Sequence, residues 1–219
     1  MSTWANQIEA DLGWREGELG SLKIAVAAAP TGSDRQRALL RALWTMLYAH
    51  YEGFSKFCWD LLLDEIEKDG CTRNALAEPL AVLSLLKVFK EFRANTSADG
   101  IWLFVHSILP TEMNRPVVFP IRLETRSNLW PDLVRQNNAS VGINAAQVDV
   151  HANQLGALVG RRNEIAHGKK LVVDSLDEYS NYERAVMLVL HELAVAVVDQ
   201  LDRQTFKHVL PVQVPVQGV

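Results

Sequence analysis

The apolar positions of this chain recur mostly at three- and four-residue spacings, the period of an amphipathic helix rather than the alternation of a strand. Met1 to Ala29 reads as a first helix, stopped by Pro30-Thr31-Gly32, a cluster that breaks helical geometry. Ser33 or Asp34 can cap a long second helix through Leu39, Leu43, Leu47, Tyr51, Phe54, Trp59, Leu62 and Ile66, with Gly70 as its stop. Asn74 to Asn95 reads as a third helix, with Pro79 tolerated near its start and a stripe of Leu80, Leu83, Leu86, Phe89 and Phe92. From Asn95 to Asn128 the period fails. Pro110, Pro116 and Pro120 flank short runs such as Val117-Val118-Phe119, so the expectation near 96–127 is an irregular insertion with a short hairpin packed on the bundle.

The period resumes at Asn128-Leu129-Trp130-Pro131, an N-cap with proline just inside a short helix that ends near Asn137-Asn138. Asp149 is expected to cap the next helix, which runs toward Gly168, and on it Gly156 and Gly160 would let another helix approach closely. Ser175-Leu176-Asp177-Glu178 is a capping-box pattern, after which Val186, Val189, Leu190, Leu193, Val197 and Leu201 extend a final helix to about Phe206. The Pro/Val/Gln-rich tail from Pro211 to Val219 is expected to fray. The pattern as a whole is an all-α bundle in one domain: an N-terminal helix over 1–32, a core bundle over 33–206 and a flexible tail over 207–219.

Composition narrows the function. With 48% apolar residues in 219, one core is well supplied, and a formal net charge of -4 speaks against non-specific coating of nucleic acid while leaving room for a local basic patch. Cys58 and Cys71 have no metal-ligand spacing and form no disulfide framework, which fits a reducing, cytoplasmic setting. Gly17-Glu18-Leu19-Gly20-Ser21-Leu22-Lys23 lacks phosphate-loop spacing, and His191-Glu192 lacks the second histidine of a zinc protease, so neither a cofactor nor a metal is expected. Met1 to Trp14 carries Glu9 and Asp11 and has no secretory pattern. No run reaches the ~18 apolar residues of a membrane span.

The densest chemistry lies in Gly160-Arg161-Arg162-Asn163-Glu164-Ile165-Ala166-His167-Gly168-Lys169-Lys170. Arginine can neutralise a phosphate, histidine can move protons near neutral pH, and asparagine can hold an imidazole. Asn163 and His167 are four apart and share a helix face, whereas Arg162 lies about 140° around the helix from His167, too far for a stacked pair, so its long side chain either curls back or, most naturally, serves a facing subunit. Gly168 is expected to end the helix, leaving His167 in the last turn, with Arg161, Lys169 and Lys170 as candidate phosphate-attracting groups. The competing reading is a solvated, base-rich helix C-terminus. As a bare pattern, Arg then His at short spacing is weak: 14 Arg and six His give roughly one chance match. Arg184 and His191 are such a match, and His191 is expected to be structural, at the core boundary of the last helix.

Three segments in order lift the motif above chance. Arg162-Asn163-Glu164-Ile165-Ala166-His167-Gly168 resembles the signature of HEPN domains. Leu47-Tyr48-Ala49-His50-Tyr51-Glu52-Gly53-Phe54-Ser55-Lys56 and Glu124-Thr125-Arg126-Ser127-Asn128-Leu129 resemble segments of the RiboL-PSP-type HEPN subfamily. The resemblance implies an up-and-down helical bundle that often dimerises into a composite cleft, and in many members a metal-independent endoribonuclease. By the same resemblance Arg162 would stabilise charge on phosphorus, Asn163 would orient the ring or a phosphate oxygen, and His167 would act as general base or acid. Glu52 is a weaker candidate, as a carboxylate able to hold Arg162 or His167; its plain reading is an exposed helix charge. RNA supplies its own 2′-OH nucleophile, so positioning, charge stabilisation and proton transfer suffice. The implied role is a toxin or defence nuclease with an antitoxin partner. The alternative is a non-catalytic HEPN module that binds a nucleotide or a partner.

Overall fold

Helix α2 (Asp34–Asp69) is the axis of the molecule in a computed structural model that describes residues 2–94, 96–170 and 175–208. Ser33 starts it by accepting the Gln36 N–H at 3.1 Å, and Gly70 ends it in the left-handed region at φ 73°, where a side chain would be strained. Between these caps Leu43, Trp44, Leu47, Tyr51, Phe54, Trp59 and Leu62 are fully buried. Their positions run around more than one face, so α2 needs neighbours on several sides. It finds them in α1 (Thr3–Ala27), α9 (Ala152–Ala166) and α10 (Leu176–Asp202), with α10 also packed on α1 and α9. One core cluster extends from Ile8 to Phe206. With 74% of the chain helical and no strand among the described residues, the molecule is all-α.

Buried polar groups fix the helices in rotation. Trp59 Nε1 donates to Asn138 Oδ1 at 2.9 Å, tying α2 to α7 (Pro131–Ser140), and Gln200 Nε2 donates to the Val141 carbonyl at 2.9 Å. Burial raises the worth of such bonds, because an unpaired partner would lose its water without replacement.

The third helix is split. Residues 78–84 form α3 (Glu78–Ser84) and 86–92 form α4 (Leu86–Phe92), after a short 3-10 turn over Arg73–Ala75. At the break Ser84 Oγ donates to the Ala81 carbonyl at 2.8 Å, the back-bonding by which serine competes with the helical ladder and bends it. The bend re-aims Phe89 and Phe92 onto Phe104, with ring centroids 5.9 and 4.1 Å away.

The insertion near 96–127 corrects the expected hairpin. Ser97 caps α5 (Ala98–Leu103) through Gly100 N–H at 3.1 Å, and a π-turn over Phe104–Ile108 leads into α6 (Leu109–Met113). The chain then runs extended, with Val117 and Phe119 buried and Val118 exposed. That alternation is strand-like, yet among the described residues its one pairing is an isolated bridge between Thr72 and Pro116. Prolines 116 and 120 lack the N–H groups a hairpin ladder requires.

Smaller boundaries moved too. Trp130, not Asn128, is the N-cap residue of α7. Asp149 lies inside a one-turn α8 (Gln147–Val150) and pairs with Arg135, while His151 leads into α9. The last helix ends at Asp202. Nothing among the described residues lies within 4 Å of a Cβ built at Gly156 or Gly160, so no described helix packs closely on those two positions. No helix among the described residues is long and apolar enough to cross a membrane. The tail expected to fray lies, beyond residue 208, outside the described residues.

Candidate functional site

Helix α9 ends as its sequence suggests: Gly168 takes φ 75°, its N–H bonds to the Ile165 carbonyl at 3.0 Å, and His167 is the C-cap residue. His167 is exposed, and its side chain has no hydrogen bond or ion pair among the described residues. Its backbone N–H is engaged instead, with the Asn163 carbonyl at 2.9 Å.

Arg162 is half-buried and closely held. Its Nη1 donates to Asn128 Oδ1 at 3.2 Å and to Asn163 Oδ1 at 3.0 Å, and its guanidinium carbon lies 4.6 Å from the centre of the Tyr48 ring. A guanidinium cannot accept, so both asparagines must present oxygen to it. The Asn163 amide therefore serves Arg162 in this protomer rather than the imidazole of His167, unlike the contact expected from their shared face. The 140° offset that pointed Arg162 toward a facing subunit has a local cause as well: it aims this side chain at α2 and at the loop before α7.

Tyr48 forms the floor. Its hydroxyl accepts the buried Leu129 N–H at 3.0 Å, which fastens the 127–130 loop to α2. Burial pushes the Tyr48 ionisation upward, the Leu129 N–H acts against it, and the neighbouring Glu52 carboxylate adds to it. Glu52 thus reaches the cluster through Tyr48; no ion pair joins it to Arg162 or His167. Asn128 and Tyr48 were visible in the two upstream segments, but only as resemblance and as packing. The hydrogen bond from Arg162 back to Asn128 spans 34 residues, and no local spacing encodes it.

The other basic candidates have separate positions. Arg161 pairs with Glu178 on α10, and its guanidinium carbon lies 4.8 Å from the Trp44 ring centre and 5.3 Å from that of Tyr182. It clamps α9 to its neighbours. Lys169 pairs with Glu164 at 3.2 Å and offers its carbonyl to Arg41 at 2.8 Å, while Lys170 is exposed and acts electrostatically on Asp34. Arg41 precedes Tyr48 by seven residues, or about 10 Å along α2. The two lysines therefore flank the cluster on the side of the α2 N-terminus and do not enter it.

The neighbouring histidines have other duties. His50, on the opposite side of α2 from Glu52, is buried against α1, with Nδ1 3.4 Å from Arg15 Nη1 and Nε2 2.9 Å from Glu18 Oε2. Burial lowers its pKa, Glu18 opposes this, and Arg15 reinforces it. Gly53 permits the arrangement: a Cβ there would stand 2.9 Å from Arg15 Nη1. His191 is not at the core boundary; it is more than half exposed and sits 3.3 Å from Glu16 of α1. Among the described residues no three His, Cys, Asp or Glu side chains are grouped to hold a metal.

A family model described as MAE_28990-like HEPN matches residues 4–206, which span every element of the cluster. That match carries the superfamily expected from the three segments, under a description other than the RiboL-PSP type to which they were likened. No curated protein and no solved structure matches the chain.

Proposed function

The chain belongs to the MAE_28990-like HEPN family, and from that premise we propose that it is a metal-independent endoribonuclease. The observation that supports this reading is an oriented cation on a helix that ends in an exposed imidazole: Arg162 held by Asn128, Asn163 and Tyr48, with His167 exposed five residues further along the same helix. In the proposed reaction Arg162 neutralises the charge that develops on the phosphate, and His167 takes the proton from the 2′-OH or gives one to the leaving 5′-oxygen. Asn128, Asn163 and Tyr48 position the guanidinium, and Glu52 acts through Tyr48. Lys169 and Lys170 attract the RNA backbone from the rim, whereas Arg161 has a structural role.

Cleavage by 2′-OH attack uses one proton acceptor and one donor, and near Arg162 the described residues of one protomer offer one unbonded imidazole, that of His167. We therefore propose a homodimer whose α9 ends meet, giving a composite cleft with two Arg162/His167 pairs. Gly156, Gly160 and His167 fall on one α9 face, and among the described residues nothing lies within 4 Å of a Cβ built at either glycine. Residues 1–219 are read as one domain, supported by the single core. A toxin or defence role in the cytoplasm, restrained by an antitoxin, rests on the family resemblance.

The non-catalytic alternative, nucleotide or partner binding, draws support from the fact that, among the described residues, no hydrogen bond or ion pair orients the His167 side chain. Incubating the purified chain with RNA in excess chelator separates the two. The proposal expects products ending in 2′,3′-cyclic phosphate, and rates lower by about 10²-fold or more for Arg162→Lys and for His167→Ala. RNA bound but left intact by the native chain favours the module; cleavage abolished by chelator, or unchanged in both variants, overturns the mechanism.

A further inference from the structure

A cleft of about 340 Å³ is lined by Arg126, Ser127, Trp130, Asp132, Gln136 and Asn128, the last of which also holds Arg162. Its volume is in the range of small-ligand pockets. Trp130 is 44% exposed, and its indole has no ring partner and no hydrogen bond among the described residues. A large aromatic left bare beside polar groups is poorly explained by packing, because the residues next to it, Leu129 and Pro131, are the ones that bury. Polar capacity is also unspent. Asn128 gives its oxygen to Arg162, so its amide N–H groups point away, and the Gln136 amide is exposed with no side-chain bond among the described residues. Arg126 holds φ 54°, a conformation that side chains other than those of Asn, Asp and Gly seldom adopt and that concentrates where a site requires it.

We propose that this cleft is a nucleobase subsite, in which one unpaired base next to the scissile phosphate stacks on Trp130 while its edge meets Asn128 and Gln136. This rests on the ribonuclease reading and names the substrate class within it: single-stranded or looped RNA, since a base stacked and paired in a duplex cannot reach an indole face. Asn128 joins the two halves of the site. Its side chain touches Arg162, and its carbonyl accepts the Trp130 N–H at 3.1 Å, so the phosphate cation and the stacking platform are two residues apart on one tight turn. A phosphate on Arg162 therefore leaves its own nucleoside within reach of Trp130.

The test uses the full chain carrying His167→Ala as a non-cleaving receptor and a fluorescent ten-nucleotide RNA as probe, with affinity read by anisotropy. Adding Trp130→Ala should weaken single-strand binding about 5- to 150-fold, the equivalent of one stacked base. Trp130→Phe, which keeps a stacking face, should recover most of it. In a series with one abasic residue moved along the probe, one position should cost the receptor the same factor and cost the Trp130→Ala protein nothing further. The complementary duplex should bind equally to both proteins. Single-strand affinity indifferent to Trp130→Ala, equal losses on duplex and single strand, or an abasic series without a sensitive position overturns the subsite alone. A receptor that binds no RNA overturns the ribonuclease reading and the subsite with it.

Discussion

Replacing Tyr48 by phenylalanine removes one oxygen and keeps the ring on which Arg162 lies. That oxygen accepts the Leu129 N–H at 3.0 Å, where Leu129 and Tyr48 are 0% and 1% exposed, so the substitution strands a buried backbone donor. Leaving such a group unpaired costs about 1–3 kcal/mol. For a chain of this length, each kcal/mol lowers Tm by about 2–4 °C, which places Tyr48→Phe about 2–12 °C below the native protein. The internal comparison is Tyr51→Phe, one turn along α2. Tyr51 is 0% exposed as well, but its hydroxyl has no partner among the described residues, so deleting it should be neutral or stabilising. Thermal and urea denaturation of the two variants, with m-values checked for constancy, measures the difference. Equal stability of the two variants would refute the claim that the Tyr48 hydroxyl holds the 127–130 loop. Because Asn128 and Trp130 ride on that loop, Tyr48→Phe should also weaken RNA binding, whereas Tyr51→Phe should not.

Arg161→Ala should lower stability by about 1 kcal/mol through loss of its partly exposed pair with Glu178 and its contact with Trp44, with RNA affinity nearly unchanged; a large loss of affinity instead would return Arg161 to the substrate. A Cβ at Gly160 meets nothing within 4 Å among the described residues, so in Gly160→Ala Tm should hold or rise while sedimentation reports weaker self-association and cleavage falls; an unaltered dimer would move the proposed seam elsewhere. His50 is held neutral by burial, so its folded pKa lies below its ordinary 6.5 and the unfolded chain binds the proton more readily. Its contribution is fully present above pH 6.5 and is lost as pH falls through the folded value, despite the opposing Glu18 and Asp11 carboxylates and with the help of Arg15. Urea midpoints between pH 7.5 and 5 should therefore decline less steeply in His50→Gln than in the native chain, and parallel slopes would contradict this.

Features that act within about four residues were legible in the sequence. Ser33 and Gly70 bound α2, Ser175 caps α10 by accepting the Glu178 N–H at 3.1 Å, and Gly168 ends α9 beneath His167, because caps and left-handed stops are local backbone requirements. Periodicity likewise marked α2 as the helix with the most to bury. The hairpin expectation failed because alternation and prolines over 114–120 describe an extended chain without saying whether a partner strand exists. His191 was misjudged for a related reason: a residue between apolar neighbours on one helix is exposed or buried according to where α1 lies.

The candidate site divides along the same line. The sequence determined that an arginine, an asparagine and a histidine end one helix, since spacing along a helix is fixed by its 3.6-residue turn. Only the tertiary structure decided that Asn163 turns to Arg162, that Asn128 reaches the same guanidinium from 34 residues away, that Tyr48 lies beneath it and that Trp130, two residues after Asn128, stands bare. Those contacts join elements distant in sequence, and their geometry is set by how buried faces pack, which no local pattern contains.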